Sequence, residues 1–95
     1  MKTEQEILEE AIATFGEENQ MKKLLEEMAE LQKEICKHWF GEENLKHIAE
    51  ETADLEIMLT QLKMILDIRE LVTVQRGQKV DRLSRELERI KEQKH

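Results

Sequence analysis

Apolar residues recur three and four positions apart along most of this chain, the spacing of one helix face rather than the alternation of a strand. On a wheel of about 100° per residue, Leu24, Met28, Leu31 and Ile35 form one stripe, and Glu27, Glu30 and Glu34 run along its edge. Ile48, Leu55, Leu59, Leu62 and Leu66 make a second stripe, with Glu51 and Asp54 along the matching edge. Val72, Val80, Leu83, Leu87 and Ile90 give the C-terminal segment a seam of its own. Gly16 closes the first apolar group, Gly41 breaks the pattern after His38, Trp39 and Phe40, and the phase changes again near Asp67 and Ile68. The pattern predicts four helices, over residues 3–15, 17–37, 42–66 and 68–93, in one domain spanning 1–95. Glu42 and Glu43 suit the positive N-terminus of the third helix, and Asp67 suits the N-cap of the fourth. Gly77 weakens the last helix by about 1 kcal/mol relative to alanine and marks a bend or a close backbone approach. Short connections favour an all-α, antiparallel bundle.

The chain has no proline and only 3 glycines, which agrees with long helices. At 95 residues, a private core is marginal, so burial shared with a second subunit is expected. The net charge of −7 is uneven. Residues 1–66 carry 7 basic and 16 acidic groups, a balance of −9, whereas residues 67–95 carry 8 and 6, a balance of +2. An acidic body without a clustered basic face argues against a nucleic-acid polymer as partner. No apolar run reaches membrane-spanning length, the first residues lack a secretory apolar core, and Cys36 is a lone cysteine. The expectation is a cytoplasmic protein without a membrane partner.

The segments Glu26-Glu27-Met28-Ala29-Glu30 and Glu51-Thr52-Ala53-Asp54 each put two carboxylates three residues apart, hence on one side of a helix. Antiparallel packing of the two stripes brings four of them to the rim of the seam. Such a density of like charge is destabilising unless protons or a cation neutralise it. Carboxylates without a His or Cys set select hard cations, and Mg²⁺ fits better than a closed Ca²⁺ cage. Di-iron bundles need Glu-x-x-His pairs. His38 and His47 are preceded at that spacing by Ile35 and Asn44, and only His95 follows a glutamate, Glu92, at the fraying end of the last helix. The plain alternative is that these glutamates are solvated helix faces, common in an acidic chain.

The pattern Glu-Glu-x-x-Glu, a spacer, then Glu-x-x-Asp resembles the MazG-like, all-α nucleoside triphosphate pyrophosphohydrolases. Phe15-Gly16 and Gln20 ahead of it, Glu43-Asn44-Leu45 and His47 to Leu59 around the second motif, and Lys79 to Leu83 near the end look similar too. The resemblance covers roughly residues 12–88, and Gly77 departs from the helix it leads one to expect. It implies cleavage of a nucleoside triphosphate between the α and β phosphates, releasing a monophosphate and pyrophosphate. It maps the metal ligands onto Glu27, Glu30, Glu51 and Asp54, with Mg²⁺ as cofactor and Mn²⁺ as a substitute, and implies a homodimer or homotetramer. Glu26 matches the first glutamate but points about 100° away from Glu27. Glu27 and Glu30 are the candidates for accepting the proton of an attacking water.

Gln20 and Lys23 extend the Glu27/Glu30 row, and Gln20 also matches a family position as a substrate contact. Lys79 and Arg82, one turn apart, match positions expected to meet the triphosphate, in place of a surface pairing with Asp81 or Glu86. Trp39 and Phe40 read as closing a bundle end or an oligomer contact rather than stacking on a base. His47 sits one turn before Glu51, as a neighbour of the site or an ordinary surface residue. Met21, Met28, Met58 and Met64 read as core or interface filler. Two rivals stand beside the enzyme: a non-catalytic helical interaction module with the last helix as its arm, and the same fold acting on a phosphorylated metabolite.

Overall fold

A computed structural model describes residues 1–94; His95, and with it the Glu92/His95 pair, lies outside the described residues. The described chain is four α-helices with no strand: α1 (Glu4–Phe15), α2 (Glu17–Trp39), α3 (Leu45–Ile65) and α4 (Arg69–Gln93). Helix α1 begins with a reciprocal capping box between Thr3 and Glu6. Helix α2 ends in a Schellman turn: Glu42 N–H donates to Lys37 O at 3.1 Å and Gly41 N–H to His38 O at 3.0 Å. Gly41 sits at φ +100°, which only glycine adopts at low cost.

Two helix ends differ from the sequence reading. Helix α3 starts at Leu45, so Glu42 and Glu43 lie in the turn before it and its first turn holds no acid. Asp67 does not cap α4. It ends α3 in the left-handed region, at φ +53°, with Ile68 N–H on Lys63 O (3.0 Å) and Asp67 N–H on Met64 O (3.3 Å), the same Schellman pattern. The N-cap of α4 is Ile68, which has no side chain able to cap.

Helices α2 and α3 form the antiparallel hairpin on which the rest is built, and α1 packs across one side of it. The buried apolar residues described are Leu8 from α1, Leu24 from α2 and Met58 from α3. The seam is not centred on the apolar stripes. Along the seam the covered positions include Gln20, Leu24, Glu27, Leu31 and Glu34 of α2, and Asn44, Ile48, Glu51, Leu55, Met58 and Gln61 at the start and along the length of α3. Each helix is thus turned roughly 50° on the wheel towards its acidic edge. The consequence is an open apolar face opposite α1, where Met28, Ile35, Leu59 and Leu66 are 41–56 % exposed.

Helix α4 leaves the hairpin and touches only α3. None of its residues is buried, and Leu71, Val74, Val80, Leu83, Leu87 and Ile90 are all exposed. It runs unbroken through Gly77, and a Cβ placed there meets nothing within 4 Å, so no close approach within the chain requires that glycine. The radius of gyration, 17.7 Å, exceeds the ~12 Å of a compact chain of this length because of that projecting helix.

Candidate metal centre

Three polar layers cross the α2–α3 seam. Gln20 and Gln61, 6 % and 2 % exposed, face each other at one end, and Gln20 Nε2 donates to Gln61 Oε1 at 2.7 Å. At the loop end Asn44 Nδ2 donates to Glu34 Oε2 at 2.6 Å and to Glu34 O at 2.9 Å. Its side chain is thereby diverted from capping α3, and Asn44 Oδ1 is buried without a partner. The central layer is Glu27 against Glu51. On α2 the three polar positions, Gln20, Glu27 and Glu34, recur every seven residues, the interval at which a helix returns to one face of a packed neighbour.

In the central layer, carboxylate oxygens of Glu27, Glu51 and Asp54 lie within 4.8 Å of one another. Glu27 and Glu51 are half-buried and Asp54 is exposed, so the cluster is walled by the seam and open on one side. Glu51 Oε2 is buried with no hydrogen-bond partner. The Glu51 carboxyl is held above the usual glutamate range. The first cause is the hydrogen bond its protonated form shares with Glu27, followed by lost hydration and the charges of Glu27, Asp54 and Glu30. Glu34 behaves oppositely: the Asn44 amide holds its carboxyl below the ordinary value, aided by Lys37 against a desolvation that raises it. One carboxylate row therefore serves two ends. Glu34 is bonded by Asn44, whereas in the Glu27/Glu51/Asp54 group Glu51 Oε2 has no partner.

The donor set and the orphaned oxygen fit a hard divalent cation. Of the four predicted ligands, Glu27, Glu51 and Asp54 come together; Glu30 is exposed and stands outside the three-way cluster, close enough for its charge to act on Glu51. Gln20, Lys23, Glu27 and Asp54 line one cleft of about 300 Å³ under α1, together with Leu8 and Phe15. Gln20 sits at its floor, already bonded to Gln61. Lys79 and Arg82 are elsewhere, in an open hollow on α4 with Gln75, Gln78 and Asp81. Asp81 pairs with Arg85 at 3.4 Å and Glu86 with Arg89 at 3.9 Å; no ion pair of Lys79 or Arg82 occurs among the described residues. His47 lies 3.8 Å from Glu50 rather than in the cluster, and Trp39 and Phe40, 83 % and 91 % exposed, cover nothing within the chain. A hollow of about 730 Å³ lies where α4 diverges from α1 and contains none of these acids.

The partners of the buried amides were not readable in the sequence. Asn44 and Gln61 looked like ordinary polar residues of a turn and a helix. The seven-residue spacing of Gln20, Glu27 and Glu34 is the one signal that they share a layer pattern. No helix among the described residues is long and apolar enough to cross a membrane. Compared with protein-family models, curated proteins and solved structures, the chain finds no match.

Proposed function

We propose that the chain is a Mg²⁺-dependent nucleoside triphosphate pyrophosphohydrolase of the MazG-like type, acting in the cytoplasm to clear surplus or non-standard nucleotides. The observation that carries this reading is the half-buried Glu51, with one oxygen orphaned, pressed against Glu27 and Asp54. A surface of solvated glutamates would spread such charges apart; here the packing of two helices brings them together. Glu27, Glu51 and Asp54 would hold Mg²⁺, or Mn²⁺ in its place, with Glu30 completing the set. Bound there, the ion supplies charge neutralisation on phosphate oxygens and a lowered pKa for water.

The remaining tasks fall to the chain's own residues. Glu30, exposed and outside the tight cluster, and Glu27 are the candidates to accept a proton from water, each through a carboxylate oxygen that the ion leaves unused. Gln20 and the cleft beneath α1 offer an apolar and amide-lined place beside the acids for part of the substrate. A cleft of that volume lies at the lower limit for small-molecule sites. Assembly with a second copy, as a homodimer or homotetramer, would bring the basic α4, with Lys79 and Arg82, to a neighbour's acids and cover the exposed apolar faces. Those same bare faces favour the rival reading of a non-catalytic interaction module.

One experiment separates the two. Pyrophosphate release is measured from a panel of ribo- and deoxyribonucleoside triphosphates with Mg²⁺ and with EDTA, for the native chain and Asp54→Ala. The enzyme reading expects metal-dependent release of pyrophosphate and monophosphate that Asp54→Ala abolishes while circular dichroism stays helical. Silence across the panel from folded protein, or a fully active Asp54→Ala, overturns it.

A further inference from the structure

The hairpin is closed by very different means at its two ends. At one end the loop over residues 40–44 joins the helices, and the Asn44 amide ties Glu34 directly to the start of α3. At the other end no loop joins α2 to α3; α1 packs against both helices, and the side-chain hydrogen bond between them is the buried Gln20–Gln61 bond. Between the two ends sits a layer of carboxylates whose mutual repulsion acts to part the helices. Buried primary amides accept little geometric error, because a shifted or splayed neighbour leaves both without a partner in a water-poor seam. Such polar pairs inside an apolar seam characteristically fix the register of packed helices.

We propose that Gln61 is a positioning residue: paired with Gln20, it closes the loop-free end of the hairpin and so sets the distance of Glu27 from Glu51 and Asp54. The inference rests on the metal-centre reading for its consequence, though not for its geometry. Gln61, 2 % exposed, does not itself reach the cation site; it acts through Gln20, two turns before Glu27 on the same face of α2. The Gln20–Gln61 layer is neutral and the Glu34 carboxylate is bonded by Asn44, whereas in the central layer Glu51 Oε2 has no partner. On this view the amide layer holds an acid layer that would otherwise relax by separating.

The test replaces the layer with an apolar one, Gln20→Leu/Gln61→Leu, so that no amide is left stranded. Nitroxide labels at Lys22→Cys and Lys63→Cys, in a Cys36→Ser background diluted with unlabelled protein, report the width of the loop-free end. Mn²⁺ binding is titrated by its own paramagnetic signal on samples shown to be fully helical. The expected result is a broadened label distance and Mn²⁺ affinity lower by about tenfold or more, as for other residues that orient metal ligands indirectly. A distance distribution as narrow as in the native layer overturns the proposal, and so does broadening with unchanged Mn²⁺ affinity. If the chain with its native layer binds no Mn²⁺, the metal reading fails, and the label distances alone decide the positioning claim. Should the leucine pair not fold, Gln20→Met/Gln61→Met, unbranched and nearer glutamine in shape, carries the same measurement.

Discussion

Truncating Leu83 tests whether α4 is an assembly element. Leu83 is 53 % exposed in the single chain, so about half of its burial is still available to a partner. Full burial of a leucine side chain is worth about 1.5–3 kcal/mol, which leaves roughly 0.8–1.5 kcal/mol for the uncovered half. A two-fold dimer contains the residue twice, so Leu83→Ala should weaken association by roughly 1.5–3 kcal/mol, about 10- to 150-fold in Kd. Alanine is at least as good a helix former as leucine, so α4 itself should not unravel. The assay is sedimentation equilibrium across a concentration series, with Glu88→Ala on the same exposed helix as the control. Melting should also depend on protein concentration for the native chain and less so for Leu83→Ala. A native chain that stays monomeric at high micromolar concentration, or a Leu83→Ala Kd within twofold of native, would refute the reasoning.

Three further outcomes are expected. The raised Glu51 carboxyl binds a proton more tightly folded than unfolded, so in EDTA its stabilising contribution is fully present below the ordinary glutamate range. It is lost as pH rises through the raised value. Melting temperature against pH should therefore fall more steeply for the native chain than for Glu51→Gln. Mg²⁺ should restore stability near neutrality in the native chain alone, and parallel curves would contradict the assignment. Met58→Ala, at a position 3 % exposed in a small core, should cost about 2–5 kcal/mol in chemical denaturation; a loss under 1 kcal/mol would mean the core lies elsewhere. Gly77→Ala should stabilise by about 1 kcal/mol, since nothing in the chain meets the added Cβ, and a weaker oligomer instead would place another copy's backbone there.

What the sequence determined by itself is local. Helix periodicity, the absence of proline, a glycine at each of the first two breaks and the change of apolar phase at the third were enough for four helices, because those preferences act within a turn or two of chain. The Gly41 turn was legible for the same reason, since a Schellman ending needs one residue at positive φ. Asp67 was misread for the converse reason: its side chain suits an N-cap, yet its backbone was taken by the end of the preceding helix. The two acidic motifs were also visible, as pairs of carboxylates on one side of a helix.

Only the tertiary structure decided which part of each helix faces its neighbour. A stripe and the row beside it differ by a fraction of a turn, and periodicity alone does not choose between them. Packing turned both helices so that Glu27 and Glu51 enter the seam while Met28 and Leu59 are left outside. That rotation depends on α1 lying across one side of the hairpin and on amides far apart in sequence, Gln20 with Gln61 and Asn44 with Glu34, finding each other. It also separated Lys79 and Arg82 from the acids within one chain, because α4 leaves the hairpin at Asp67 instead of folding back over it. Contacts between residues some forty positions apart carry no periodic signature, so the layer that holds the acids together became legible only in three dimensions.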